Sequence, residues 1–230
     1  MNRIVSAARL HLVAPWLLLL PWAIMGSSFF INVLVWRLAD MPEGREPGTA
    51  GLASLYLTLC IVYVQSMSAL LPFAMGLSLT RRSFYLGTAL FAGLQSLVYG
   101  VLFHGLLLVE RATDGWGVGL PFFGGFWVVD NPILQVLVYV VPLLVLAFLG
   151  MAVGVMYKRF GSLGLYALII GTILGFGGLG VLLAWQEGWR ETVFGFFTGQ
   201  SAVALFTGWP LLLGVLFAAA AYLGIRRVVP

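Results

Sequence analysis

The sequence predicts an all-α membrane protein with six transmembrane helices, an N-terminal interfacial helix, and a broken, re-entrant element before the sixth span. Three observations lead there. The 230 residues are 61% hydrophobic and 9% charged, whereas a soluble domain carries about 25% charged residues. The apolar residues gather into six runs, and the charges sort by the connection they occupy. A crossing needs about 20 mostly apolar residues. The length therefore accommodates six spans with short loops, and residues 1–230 read as a single transmembrane domain.

The elements follow in order. Residues 1–13 precede the first run; plotted at 100° per residue, Ile4, Val5, Ala8 and Leu12 share one side, and Asn2, Arg3, Ser6 and Arg9 the other. That is the pattern of a helix lying on a membrane surface. The first run continues past Phe30, longer than the core of a secretory signal. The six runs cover 14–37, 51–79, 84–109, 133–157, 162–185 and 205–225. Between the first two, Pro42, Gly44, Pro47 and Gly48 mark an exposed loop. Residues 110–132 mix glycine with Trp116, Phe122, Phe123, Phe126 and Trp127; such aromatics favour the headgroup region, which places this loop along the interface. From Val193 to Ile225 the chain is too long for one crossing. Breaks at Gly199-Gln200 and at Gly208 with Pro210 predict an element over 192–206 that enters the outer leaflet and returns.

Charge supplies the orientation. Arg3 and Arg9, Arg81 and Arg82, Lys158 and Arg159, and Arg226 and Arg227 occupy one set of connections without an acid. The alternate set holds all eight acids (Asp40, Glu43, Glu46, Glu110, Asp114, Asp130, Glu187, Glu191) with Arg37, Arg45, Arg111 and Arg190. The positive-inside rule makes both termini cytoplasmic. Eleven of the twelve basic residues are Arg, which points to a GC-rich bacterial genome and a multi-pass protein of the bacterial plasma membrane. The basic excess faces anionic lipid, and nucleic-acid binding is excluded as its purpose.

No Asp, Glu, Lys or Arg lies in the middle of a span, where ion-coupled carriers and proton relays need one. The polar residues at that depth are Gln65, Ser66 and Ser68 in span two and Gln95 and Ser96 in span three. They are candidates for a substrate path, and interhelical hydrogen bonding is the competing reading. His11 and His104 lack partners at metal-ligand spacing, and Cys60 stands alone, so no metal site is expected. Gly115, Gly117 and Gly119 lack the GK[ST] ending of a phosphate loop. Gly164, Ala167, Gly171, Gly175 and Gly178 form a small-residue stripe on span five, suited to close contact with a helix of the same chain or of a second subunit. The turn between spans two and three puts Arg81 and Arg82 between Ser, Thr and aromatic residues, a knob for a cytoplasmic partner as against generic snorkelling arginines.

With "AARLHL" at 7–12, "LPFAMGLSLTRRSFYLGT" at 71–88, six spans and the broken element before the last, the chain resembles the membrane subunit of a bacterial ABC transporter. The likeness is to the type-two permease class and within it to small actinobacterial permeases, over the whole length. The resemblance implies that residues 78–86 form a short cytoplasmic coupling helix docking into an ATPase, with Ser78, Leu79, Thr80, Arg81, Arg82, Ser83, Phe84 and Tyr85 at the contact. It further implies two ATPase subunits, a second permease copy as homodimer, and ATP and Mg bound by the ATPase; this chain has no Walker A segment and no cofactor of its own. The expected function is ATP-driven export of an amphipathic, drug-like, lipid-like or peptide substrate. The alternatives are an intramembrane enzyme using Gln65, Gln95 and His104, and a non-transporting membrane partner or immunity protein.

Overall fold

The computed structural model describes residues 3–13, 15–39, 49–125 and 128–226. No strand occurs among them. The helices are α1 (Arg3–Val13), α2 (Pro15–Leu38), α3 (Ala53–Gly76), α4 (Arg81–Ala112), α5 (Pro132–Trp185), α6 (Glu187–Thr198) and α7 (Ala204–Ile225). Five of them, α2 to α5 and α7, are long and apolar enough to cross a membrane. The exposed loop expected around Pro42 to Gly48, with Asp40, Glu43, Arg45 and Glu46, lies outside the described residues, as do Asn2, Phe126, Trp127 and Arg227.

Helix α5 begins at Pro132 under the side chain of Asn131, which accepts from the amides of Ile133 and Leu134 at 2.9 and 3.2 Å. It runs for 54 residues, interrupted at Gly161, whose φ of 64° and ψ of −155° no other residue type adopts readily. Unbroken, it would reach about 80 Å, far beyond a bilayer. Past Gly161 the chain comes back, so that Leu168 shares a cavity with Leu149 and Phe217.

The core is built where α3, α4 and the first half of α5 meet. Leu55, Leu59, Tyr63 and Met67 of α3 face Ala92 and Phe103 of α4 and Tyr139, Leu143, Ala147 and Met151 of α5, all buried. Close approach depends on two glycines of α5. A Cβ at Gly150 would lie 2.3 Å from the Cys60 carbonyl oxygen, and one at Gly154 2.7 Å from the Val64 carbonyl oxygen and the Met67 Cβ. Small residues set helix separation in a membrane because lipid provides no hydrophobic drive for association.

Two wide turns interrupt the α-helical ladder, Ser66–Leu70 in α3 and Ala204–Gly208 at the start of α7. Each precedes a proline, Pro72 or Pro210. A proline lacks an N–H and crowds the carbonyl four residues back, here Ser68 and Phe206, both inside the wide turns. The expected break at Gly208 and Pro210 is therefore absorbed as a wide turn, and the helix continues. The break at Gly199 is present: α6 ends at Thr198 with Gly199 as its cap. The segment 192–206 thus straddles the end of α6 and the start of α7 instead of forming an element of its own.

Two further expectations change. No separate short helix occupies 78–86: a turn at Leu77–Thr80 leads directly into α4, whose first residues Phe84 and Tyr85 are buried. Of the loop aromatics expected at the headgroup level, Phe122 and Phe123 turn inward with Leu120 and are buried.

Candidate functional site

The basic end of the bundle is organised around the start of α4. Helix α3 finishes with the amide of Ser78 donating to the Met75 carbonyl at 3.0 Å and that of Leu79 to the Ala74 carbonyl at 3.1 Å. This pair of bonds places Ser78 in the left-handed region, φ 62°, where glycine is usual. Thr80 then caps α4: its hydroxyl accepts from the Ser83 amide at 3.1 Å and donates to the Ser83 hydroxyl at 2.9 Å. Ser78, Leu79 and Thr80 are thereby fixed in a tight corner, with Arg82 projecting outward from the first turn of α4.

Helices α1 and α7 both dock on the start of α4. From the N-terminal side, α1 lies against α4 so closely that a Cβ at Gly87 would sit 2.6 Å from the Ala7 Cβ and 2.7 Å from the Ile4 carbonyl oxygen. His11 is buried there, its ring stacked at 4.8 Å on Phe91 and at 6.2 Å on Phe84. Burial lowers its pKa to about 4, because a charged imidazolium would lose its hydration between two phenyl rings, while the nearby carbonyls of Ala7 and Ala8 offset only part of that cost. From the C-terminal side, the Tyr85 hydroxyl donates to the Ala218 carbonyl at 2.7 Å, Tyr222 packs against Tyr85 with ring centroids 5.3 Å apart, and Arg81 reaches the Arg226 carbonyl at 3.4 Å. Phe84 and Tyr85 therefore serve the interior, while Arg81 and Arg82 remain toward the surface.

The polar residues of the mid-span region are not brought together. Gln95 is buried, and its side-chain oxygen accepts from the Tyr63 hydroxyl at 2.7 Å while its nitrogen donates to the Tyr99 hydroxyl at 3.0 Å. Tyr99 donates onward to the Leu18 carbonyl at 3.1 Å, so one chain of bonds ties α2, α3 and α4. Gln65 is exposed on another face of α3. Ser66 and Ser68 turn back on their own helix, to the carbonyls of Val62 and Gln65. Ser96 is buried with its hydroxyl unpartnered. His104 does not approach a group of ligands, and no cluster of three or more His, Cys, Asp or Glu side chains forms among the described residues.

The opposite end holds a feature that residue types did not announce. Glu110, buried at the end of α4, accepts through one oxygen from the amides of Phe122 at 2.9 Å and Phe123 at 2.7 Å and from the Trp116 indole at 3.1 Å. Its other oxygen accepts from the Gly124 amide at 2.9 Å. Four N–H donors compensate the buried charge without a cation. The Tyr139 hydroxyl closes the arrangement on the Phe123 carbonyl at 2.6 Å, and Phe29 meets Trp116 and Phe122 edge-on at 4.9 and 5.2 Å. Since most of these partners are backbone amides, the sequence signal reduces to one acid beside a Gly- and Phe-rich loop.

The glycines of the stripe meet no neighbouring helix among the described residues: a Cβ at Gly171, Gly175 or Gly178 would encounter nothing within 4 Å, and one at Gly164 only the preceding Phe160. Within α5, close packing falls on Gly150 and Gly154 instead. Comparison with protein-family models, with curated proteins and with solved structures returns no match for this chain.

Proposed function

We propose that the chain is the permease subunit of an ATP-driven exporter of the ABC type, a six-span protein of the bacterial plasma membrane with both termini cytoplasmic. Gly161 divides α5 into two crossings, which with α2, α3, α4 and α7 make six. The observation that carries the reading is the convergence of α1, the Ser78–Thr80 corner and α7 on the first turns of α4, at an end rich in Arg and Lys and, among the described residues, free of acids. A partner that pushes on Ser78 to Arg82 would move α1, α4 and α7 together, because Gly87, Tyr85 and Arg81 couple them. Two ATPase subunits supplying ATP and Mg, acting on a permease homodimer, would use this corner as the contact. The unoccupied stripe from Gly164 to Gly178 is available to the second copy. Few fixed charges inside the bundle favour an amphipathic substrate over an ion. The direction of movement would follow from its differential affinity for the two states.

The test is to purify the tagged chain from its native host in lipid nanodiscs and identify what accompanies it. An ABC-type ATPase subunit in stoichiometric amount is expected, and a chain that purifies alone, folded and without ATPase, would overturn the reading.

A further inference from the structure

We propose that the groove between α1, α2 and α4 is a binding site for an anionic phospholipid, an acyl chain lying in the groove and the headgroup phosphate on Arg9. The groove has a volume of about 570 Å³ and is walled by Leu12, Leu19, Trp22, Leu94 and Val98. Besides Arg9, Gln95 and Tyr99 in its wall are already engaged, Gln95 with Tyr63 and Tyr99, and Tyr99 with the Leu18 carbonyl. Away from Arg9 the lining therefore offers mostly hydrocarbon contact, which selects an acyl chain over a free anion. At the rim stands Arg9, exposed and without an ion pair among the described residues. Among the described residues no carboxylate lies within ion-pair distance of it. A guanidinium fits a phosphate through paired hydrogen bonds, and Arg81 and Arg82 at the same end of α4 add a field favouring anionic lipid. The site does not depend on an ATPase, so its failure would leave the exporter reading untouched.

The experiment is native mass spectrometry of the full chain released from nanodiscs of equal parts phosphatidylglycerol and phosphatidylcholine. The unsubstituted chain retains phosphatidylglycerol in preference. Arg9→Gln lowers that preference roughly fivefold, the factor expected for one basic residue at an anionic surface, yet still retains lipid. Leu94→Trp, which fills the groove, loses bound lipid of either kind, and Arg3→Gln, on the same helix but away from the groove, behaves as the unsubstituted chain. No preference for phosphatidylglycerol, an equal loss in Arg3→Gln, displacement of the lipid by inorganic phosphate, or lipid retention unchanged in Leu94→Trp would each overturn the assignment. So would a disulfide-linked dimer of Leu94→Cys in a Cys60→Ser background, because a second copy would then cover the groove.

Discussion

Tyr63 and Gln95 are joined by a 2.7 Å hydrogen bond between α3 and α4, with both side chains buried. The bond makes Gln95 a fastening between helices, continued through Tyr99 to α2. Removing the Tyr63 hydroxyl in Tyr63→Phe leaves the Gln95 oxygen unpaired, at a cost of about 1 kcal/mol. Gln95→Leu removes the acceptor of Tyr63 and the donor to Tyr99 together and should cost more. Thermal unfolding in detergent checks both, and Gln65→Leu, on the exposed face, should leave the midpoint unchanged.

Close packing by glycine is expected at Gly150 and Gly154 and nowhere on the open stripe. Gly154→Val drives methyl groups into the Val64 carbonyl and the Met67 side chain, overpacking that should cost about 1 to 3 kcal/mol. Gly175→Val meets open space and should leave the isolated monomer as stable as before. The yield of monodisperse protein and its melting temperature distinguish the two. If a second copy packs on the stripe, Gly175→Val weakens dimerisation alone.

Glu110 holds the Trp116–Gly124 loop by accepting four N–H groups. In Glu110→Gln one of the acceptor positions becomes an amide group facing those donors, with an expected penalty of about 1 to 3 kcal/mol. Hydrogen exchange at the amides of Phe122, Phe123 and Gly124 should accelerate, while exchange in the α1 helix stays as it was.

Protonation of His11 should loosen α1. Its folded pKa lies near 4 against an ordinary 6.5, so the unfolded or undocked state takes up the proton first as pH falls. The stabilising contribution of the docked helix is complete above about 6.5 and is lost progressively down to about 4, up to about 3 kcal/mol. Exchange or protease cleavage within Arg3–Val13 should increase over that window, and His11→Phe should flatten the dependence.

Hydropathy made the long apolar helices legible, since the runs at 51–79, 84–109 and 205–225 correspond to α3, α4 and α7 within a few residues. The run boundary near 158–161 likewise matches the interruption at Gly161. Hydropathy distinguishes lipid from water and carries little about which helix meets which, so it could not choose between the glycines of 164–178 and Gly150 with Gly154. Nor could residue types reveal the environment of Glu110, whose donors are mostly backbone. Gln95 stood out as polar at mid-span, but its partners Tyr63 and Tyr99 are amphipathic side chains that read as apolar in a span. The corner at Ser78 was visible as a short basic turn, but its left-handed backbone at a serine was not.

On the proposed reading, Arg81 and Arg82 transmit the action of an ATPase to the bundle. The most direct measurement is vanadate-sensitive ATP hydrolysis by the complex purified in lipid nanodiscs, comparing the unsubstituted chain with Arg81→Glu/Arg82→Glu, while the melting temperature reports folding. Hydrolysis that accompanies the unsubstituted chain and collapses in the folded double variant, with loss of the bound ATPase, is the predicted result. Undiminished hydrolysis and retention of the ATPase in the double variant would contradict the claim.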